Sequence, residues 1–139
     1  MAQLRQFFDD YAEALGSANL DDLAEAYAEQ FMANGPGFRT SMDNDAQFRT
    51  RLTQTAQFYK SIGVDIAEVK NYLEAELGSG FWLTKVEWEL LDEDLNTLVT
   101  FDNTYVVDAS RGTEGGIAKI VLYITHNEHE RMQDMGLID

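Results

Sequence analysis

Two histidines, His126 and His129, stand three residues apart with Glu128 and Glu130 beside them. A His-x-x-His pair can ligate a divalent metal when both imidazoles share one helix face and a third strong ligand lies on the same side. Here His126 ends an apolar run that reads as a strand, so no metal site is expected. Histidine titrates near neutral pH, which makes His126 a candidate proton-transfer group at a pocket mouth. The plain alternative is a strand-end histidine in water. Tyr11 lies on an apolar helical stripe, where its hydroxyl either serves a pocket rim or belongs to the core. Asn103 sits between Phe101 and Tyr105 in an alternating segment, and an amide on an apolar face must find partners. A register shift of one residue would turn Asp102 and Thr104 inward instead, making Asp102 the candidate acid or base. The candidate catalytic groups are therefore Tyr11, Asn103 and His126, with Asp102 as the shifted-register alternative.

The elements that must position these groups fall into two blocks. Residues 3–62 carry helical spacing, and residues 64–126 carry strand-like alternation. In the first expected helix, about residues 3–15, Leu4, Phe7, Phe8, Tyr11 and Leu15 recur at three-to-four spacing, and Gly16 is expected to end it. The second, about 19–33, begins at Asn19 as cap and carries Leu20, Leu23, Tyr27 and Phe31; Asn34-Gly35-Pro36-Gly37 stops it. Phe38-Arg39-Thr40 reads as a short strand. The third helix, about 45–62, starts at Asp45 and buries Phe48, Leu52, Ala56, Tyr59 and Ile62 before Gly63.

From Val64 the period becomes two. In the segment Phe81 to Leu91, Trp82, Thr84, Val86, Trp88 and Leu90 point one way while Lys85, Glu87 and Glu89 point the other. That pattern predicts one buried and one wet face. Gly78-Ser79-Gly80 and Asp92-Glu93-Asp94 are turns, and residues 110–116 are a glycine-rich hairpin loop. Further strands span Leu98 to Val107 and Ile117 to His126. The polar tail from Asn127 forms a short helix or frays.

With 139 residues the chain is expected to form one domain. It has no cysteine, which excludes disulfides, thiolate metal sites and cysteine nucleophiles. A cytoplasmic setting fits. No secretory apolar core follows Met1-Ala2-Gln3-Leu4-Arg5-Gln6, and the longest apolar run, Ile120 to Ile124, is far below the roughly 20 residues of a spanning helix. The net charge of −15 repels nucleic acid and anionic lipid, so neither is an expected partner. None of Ser17, Ser41, Ser61, Ser79 and Ser110 sits in a nucleophile elbow, and no phosphate-cradling glycine motif precedes a helix. No cofactor is expected.

Three stretches carry a resemblance: Tyr11 through Leu23, Gly63-Val64 through Leu90, and Ala118 through Glu128. Together with the helix–helix–helix–sheet order, they resemble the nuclear-transport-factor-two-like superfamily. That group includes SnoaL-type polyketide cyclases and ketosteroid isomerases. The resemblance implies an α+β fold: a cone-shaped barrel with three N-terminal helices packed on a curved, mainly antiparallel sheet. It also implies a deep, mostly apolar pocket and a homodimer formed through the outer sheet face. The expected pocket wall is Tyr11, Tyr27, Phe31, Phe58, Trp88, Phe101, Asn103 and Tyr105.

Ketosteroid isomerase chemistry needs a carboxylate base and an oxyanion hole made of a tyrosine and a protonated aspartate. By resemblance Tyr11 occupies the tyrosine position, Asn103 the second donor position and Gly35 the base position. Losing a base costs an enolisation about 10²–10⁴-fold, which disfavours that reaction. The expectation is a SnoaL-like domain binding a small apolar ligand. It would act either as an isomerase-, cyclase- or hydrolase-type enzyme or as a non-catalytic binding or scaffold protein.

Overall fold

The computed structural model describes residues 3–139; Met1 and Ala2 lie outside the described residues. The chain runs α1 (Arg5–Ser17), α2 (Leu20–Glu25), β1 (Tyr27–Gly35), β2 (Phe38–Asp43), α3 (Ala46–Ser61), β3 (Ile66–Gly78), β4 (Phe81–Leu91), β5 (Thr97–Asp108), β6 (Lys119–Thr125) and α4 (Glu128–Asp134). The strands form a sheet in the order β2-β1-β6-β5-β4-β3. Every neighbouring pair is antiparallel except β1 with β6. The architecture is α+β, with helices packed on one face of the sheet. No helix among the described residues is long and apolar enough to cross a membrane.

The inner face of β4 carries the core. Thr84, Val86, Trp88 and Leu90 are buried, whereas Lys85 is exposed on the opposite face. Phe7 and Phe8 of α1 enter from above, with the Phe8 ring 5.1 Å from that of Tyr105 and 6.4 Å from that of Trp88. Both expected helix caps form. Asn19 accepts a hydrogen bond from the Asp22 amide at 3.2 Å, and Asp45 accepts one from the Phe48 amide at 3.1 Å.

Two expectations need correction. The second helix ends at Glu25, and Tyr27 and Phe31 lie on β1 instead. Both point inward, since residues four apart lie on one face of a strand. The ladder with β6 is interrupted between Tyr27 and Met32, and at that irregularity Glu29, which strict alternation would place on the same face, is left in water. Gly16 does not end α1; Ala18 takes the left-handed cap at φ 57°. Glycine serves at position 16 for a different reason. A Cβ there would stand 3.2 Å from the Ala67 amide nitrogen, so its absence lets α1 lie against β3.

Candidate functional site

A cavity of about 530 Å³ opens between α1, α3 and the inner sheet face. Its inner wall is aromatic: Tyr11, Tyr27, Phe48, Tyr59, Trp88, Phe101, Tyr105 and Tyr123 all line it. Arg51, Gln54 and Thr55 of α3 are exposed lining residues and form its rim. All the expected wall residues line it except Phe31. That ring lies behind the wall, 4.8 Å from Tyr27 and 4.9 Å from Phe48.

Most of the tyrosine hydroxyls are committed to neighbouring side chains. Tyr11 and Tyr27 share a hydrogen bond of 2.7 Å. The Tyr105 oxygen accepts from the Trp88 indole N–H at 2.9 Å and is bonded to the Asn103 amide at 3.1 Å. Burial pushes the phenols of Tyr11, Tyr27, Tyr59 and Tyr105 well above the ordinary tyrosine value. They are neutral at physiological pH and serve as polar tips on apolar rings.

Asn103 faces inward because β5 keeps the register of its alternation: Phe101, Asn103 and Tyr105 are buried. Asp102 therefore points to the outer face and is not a pocket acid, and the shifted-register expectation is corrected. Across the ladder, Asn103 stands opposite Thr125 of β6. One end of the Asn103 amide has no hydrogen-bond partner, and neither has the Thr125 hydroxyl, although both are buried and line the cavity. Buried polar atoms are satisfied in the great majority of cases, so two orphans side by side in one cavity are unusual.

The group that sequence reasoning passed over is Glu128. Asn127 accepts a hydrogen bond from the Asp102 amide at 2.9 Å, which pins the start of α4 to the end of the sheet. That anchor delivers Glu128 to the cavity, where its carboxylate accepts a hydrogen bond from Tyr59 at 2.5 Å. Burial raises the Glu128 carboxyl above the ordinary 4.5, and the Tyr59 bond offsets part of that rise. The resemblance had put a base at Gly35. A Cβ at Gly35 would stand 2.3 Å from the Phe38 ring and 2.9 Å from the Thr125 methyl, so its neighbours fill that place. The pocket carboxylate comes from the opposite end of the chain.

His126 is not at the pocket mouth. It is exposed and shares a 2.8 Å hydrogen bond with Thr104, on the outer face of the sheet. The inward-outward alternation that buries Asn103 sends Thr104, and with it His126, to the other side. His129 is exposed on α4, and among the described residues no three His, Cys, Asp or Glu side chains group as metal ligands.

Six strands with helices on one face, and a cavity between, are the NTF2-like, cystatin-like fold. The chain belongs to the family described as NTF2-like protein (DUF6841), whose match covers residues 2–128. No curated protein matches it. A solved structure of an NTF2-like protein with a cystatin-like fold from Novosphingobium aromaticivorans is similar, with a TM-score of 0.68 at 11% identity over 99% of this chain and 87% of that one. An NTF-2-like protein of unknown function from Shewanella oneidensis gives 0.63 at 18% identity, over 87% and 93%. A protein of unknown function with a cystatin-like fold from Nostoc punctiforme gives 0.62 at 10%, over 84% and 81%. At such identities the likeness is one of fold.

Proposed function

We propose that this chain binds a small, largely apolar molecule whose polar end meets Asn103, Thr125 and Glu128. The observation that carries this reading is the pair of partnerless buried polar atoms in an aromatic-walled cavity. Ligand sites combine apolar walls with a few convergent polar groups, and a bound ligand would supply the missing hydrogen bonds. The two tryptophans allow a direct test. Titration with 2-phenylethanol, followed by nitrogen-15 correlation spectra, is expected to move the Trp88 indole signal and leave that of Trp82 in place. Neither signal moving, or both moving equally, would overturn the reading.

Catalysis is a second reading, favoured by the short Tyr59–Glu128 contact. A carboxyl and a phenol within hydrogen-bond reach, in an aromatic-walled cavity, form an acid–base pair suited to isomerase-, cyclase- or hydrolase-type proton transfer. Tyr11 and Asn103 would then orient the substrate. Self-association through the outer sheet face is part of the proposal too, supported by Leu73 and Leu83, which are 70% and 40% exposed there.

A further inference from the structure

Resting on the reading of the cavity as a small-molecule site, we propose that its ligand is an organic cation, an amine carrying an apolar body, with the ammonium seated between the Glu128 carboxylate and the tyrosine rings. Three observations converge on this class.

The first is the state of Glu128. A carboxylate has room for about four hydrogen bonds, and Tyr59 is the hydrogen-bond donor found on this one. No salt bridge reaches it among the described residues. A charge taken out of water with one neutral donor is costly, and the most effective relief is an opposite charge brought into contact.

The second is what surrounds it. Tyr59 from α3, Tyr123 from β6, Tyr105 from β5 and Tyr11 from α1 share the cavity with Glu128. The Tyr11 ring is 5.5 Å from the Trp88 ring, and the Tyr105 ring is 6.4 Å from that of Tyr123. Ring faces carry negative potential and attract ammonium groups within about 6 Å, most strongly when water is excluded. An ammonium also donates several hydrogen bonds, more than the free oxygen of Glu128 alone accepts, and the Thr125 hydroxyl can take another.

The third is the charge balance. Arg51 is the sole cationic residue among those lining the cavity, and it stands on the exposed rim. The chain as a whole carries −15, which raises the concentration of cations at its surface. A metal ion fits less well, since Glu128 is the sole carboxylate, with no imidazole beside it, among the residues lining the cavity, and no three such side chains group among the described residues.

The test compares two probes of nearly equal shape, phenethylamine and 2-phenylethanol, by calorimetry at pH 7.5 on the full chain and on Glu128→Gln. The amine is expected to bind the wild type at least tenfold more tightly than the alcohol, and Glu128→Gln is expected to abolish that preference while retaining the alcohol. Equal affinity for the two probes, or a preference for the alcohol, overturns the cation inference and leaves the cavity reading intact. Failure of both probes to bind overturns the cavity reading itself. The wild-type comparison stands whether or not the variant folds.

Discussion

Removing the Tyr59 hydroxyl isolates the one bond that steadies the Glu128 carboxylate. Tyr59→Phe keeps the ring, which is buried, and deletes the donor of the 2.5 Å contact. A hydrogen bond to a charged group is worth about 1.5–3 kcal/mol, against about 1 kcal/mol for a neutral one. For a chain of 139 residues each kcal/mol moves the melting temperature by about 3–4 °C. Tyr59→Phe should therefore lower Tm by about 5–12 °C near pH 7.5. In a Glu128→Gln background the same substitution loses a neutral bond and should lower Tm by about 3–4 °C. The two sites touch, so their effects should not add, and the difference is their coupling, about 0.5–2 kcal/mol. Calorimetric melting of the four proteins measures it. Equal losses in both backgrounds would refute the claim that Glu128 carries its charge against Tyr59 in the cavity.

Other expectations follow from single positions. Because burial raises the Glu128 carboxyl, the folded state holds that proton more tightly than the unfolded chain. The sign of the linkage then makes Glu128 cost stability as pH rises above 4.5, so the advantage of Glu128→Gln should grow from pH 4.5 upward; a constant difference across that range would contradict it. Gly16→Val would press a side chain onto the β3 backbone, 3.2 Å from the Ala67 nitrogen, and should cost about 1–3 kcal/mol in denaturant melts. Asn19→Ala removes the cap of α2 and should cost about 1 kcal/mol, read the same way. Leu73→Asp with Leu83→Asp should leave the circular dichroism of the folded chain unchanged and convert any dimer seen by light scattering to monomer; a dimer that persists would place the interface elsewhere.

The sequence was most legible where local chemistry and packing agree. The inner and outer faces of β4 follow its alternation from Leu83 to Leu90, and the polar caps at Asn19 and Asp45 act on amides three residues on, a purely local geometry. It was misleading at Tyr27–Gly35, where Ala, Glu, Gln and Met favour a helix and no β-branched residue argues otherwise. There, hydrogen bonding to β2 and β6 overrides the local preference. Most of the cavity wall was legible because its residues sit on the apolar stripes of α1 and α3 and on the inward faces of the strands. Its carboxylate was not. Glu128 is one of 25 acidic residues, it follows the last strand instead of lying on it, and the histidines on either side drew attention to themselves. Its role depends on the Asn127 anchor and on Tyr59, which is 69 residues away in sequence. Contacts of that range leave no periodic trace.

The most direct measurement is the titration of the Glu128 side-chain carbonyl by carbon-13 NMR, with and without phenethylamine. The account predicts a midpoint above 4.5 for the free protein, displaced downward when the amine is bound. A carboxyl that titrates at or below 4.5 and ignores the amine would be a solvated surface group, and would contradict a buried acid at the polar end of this cavity.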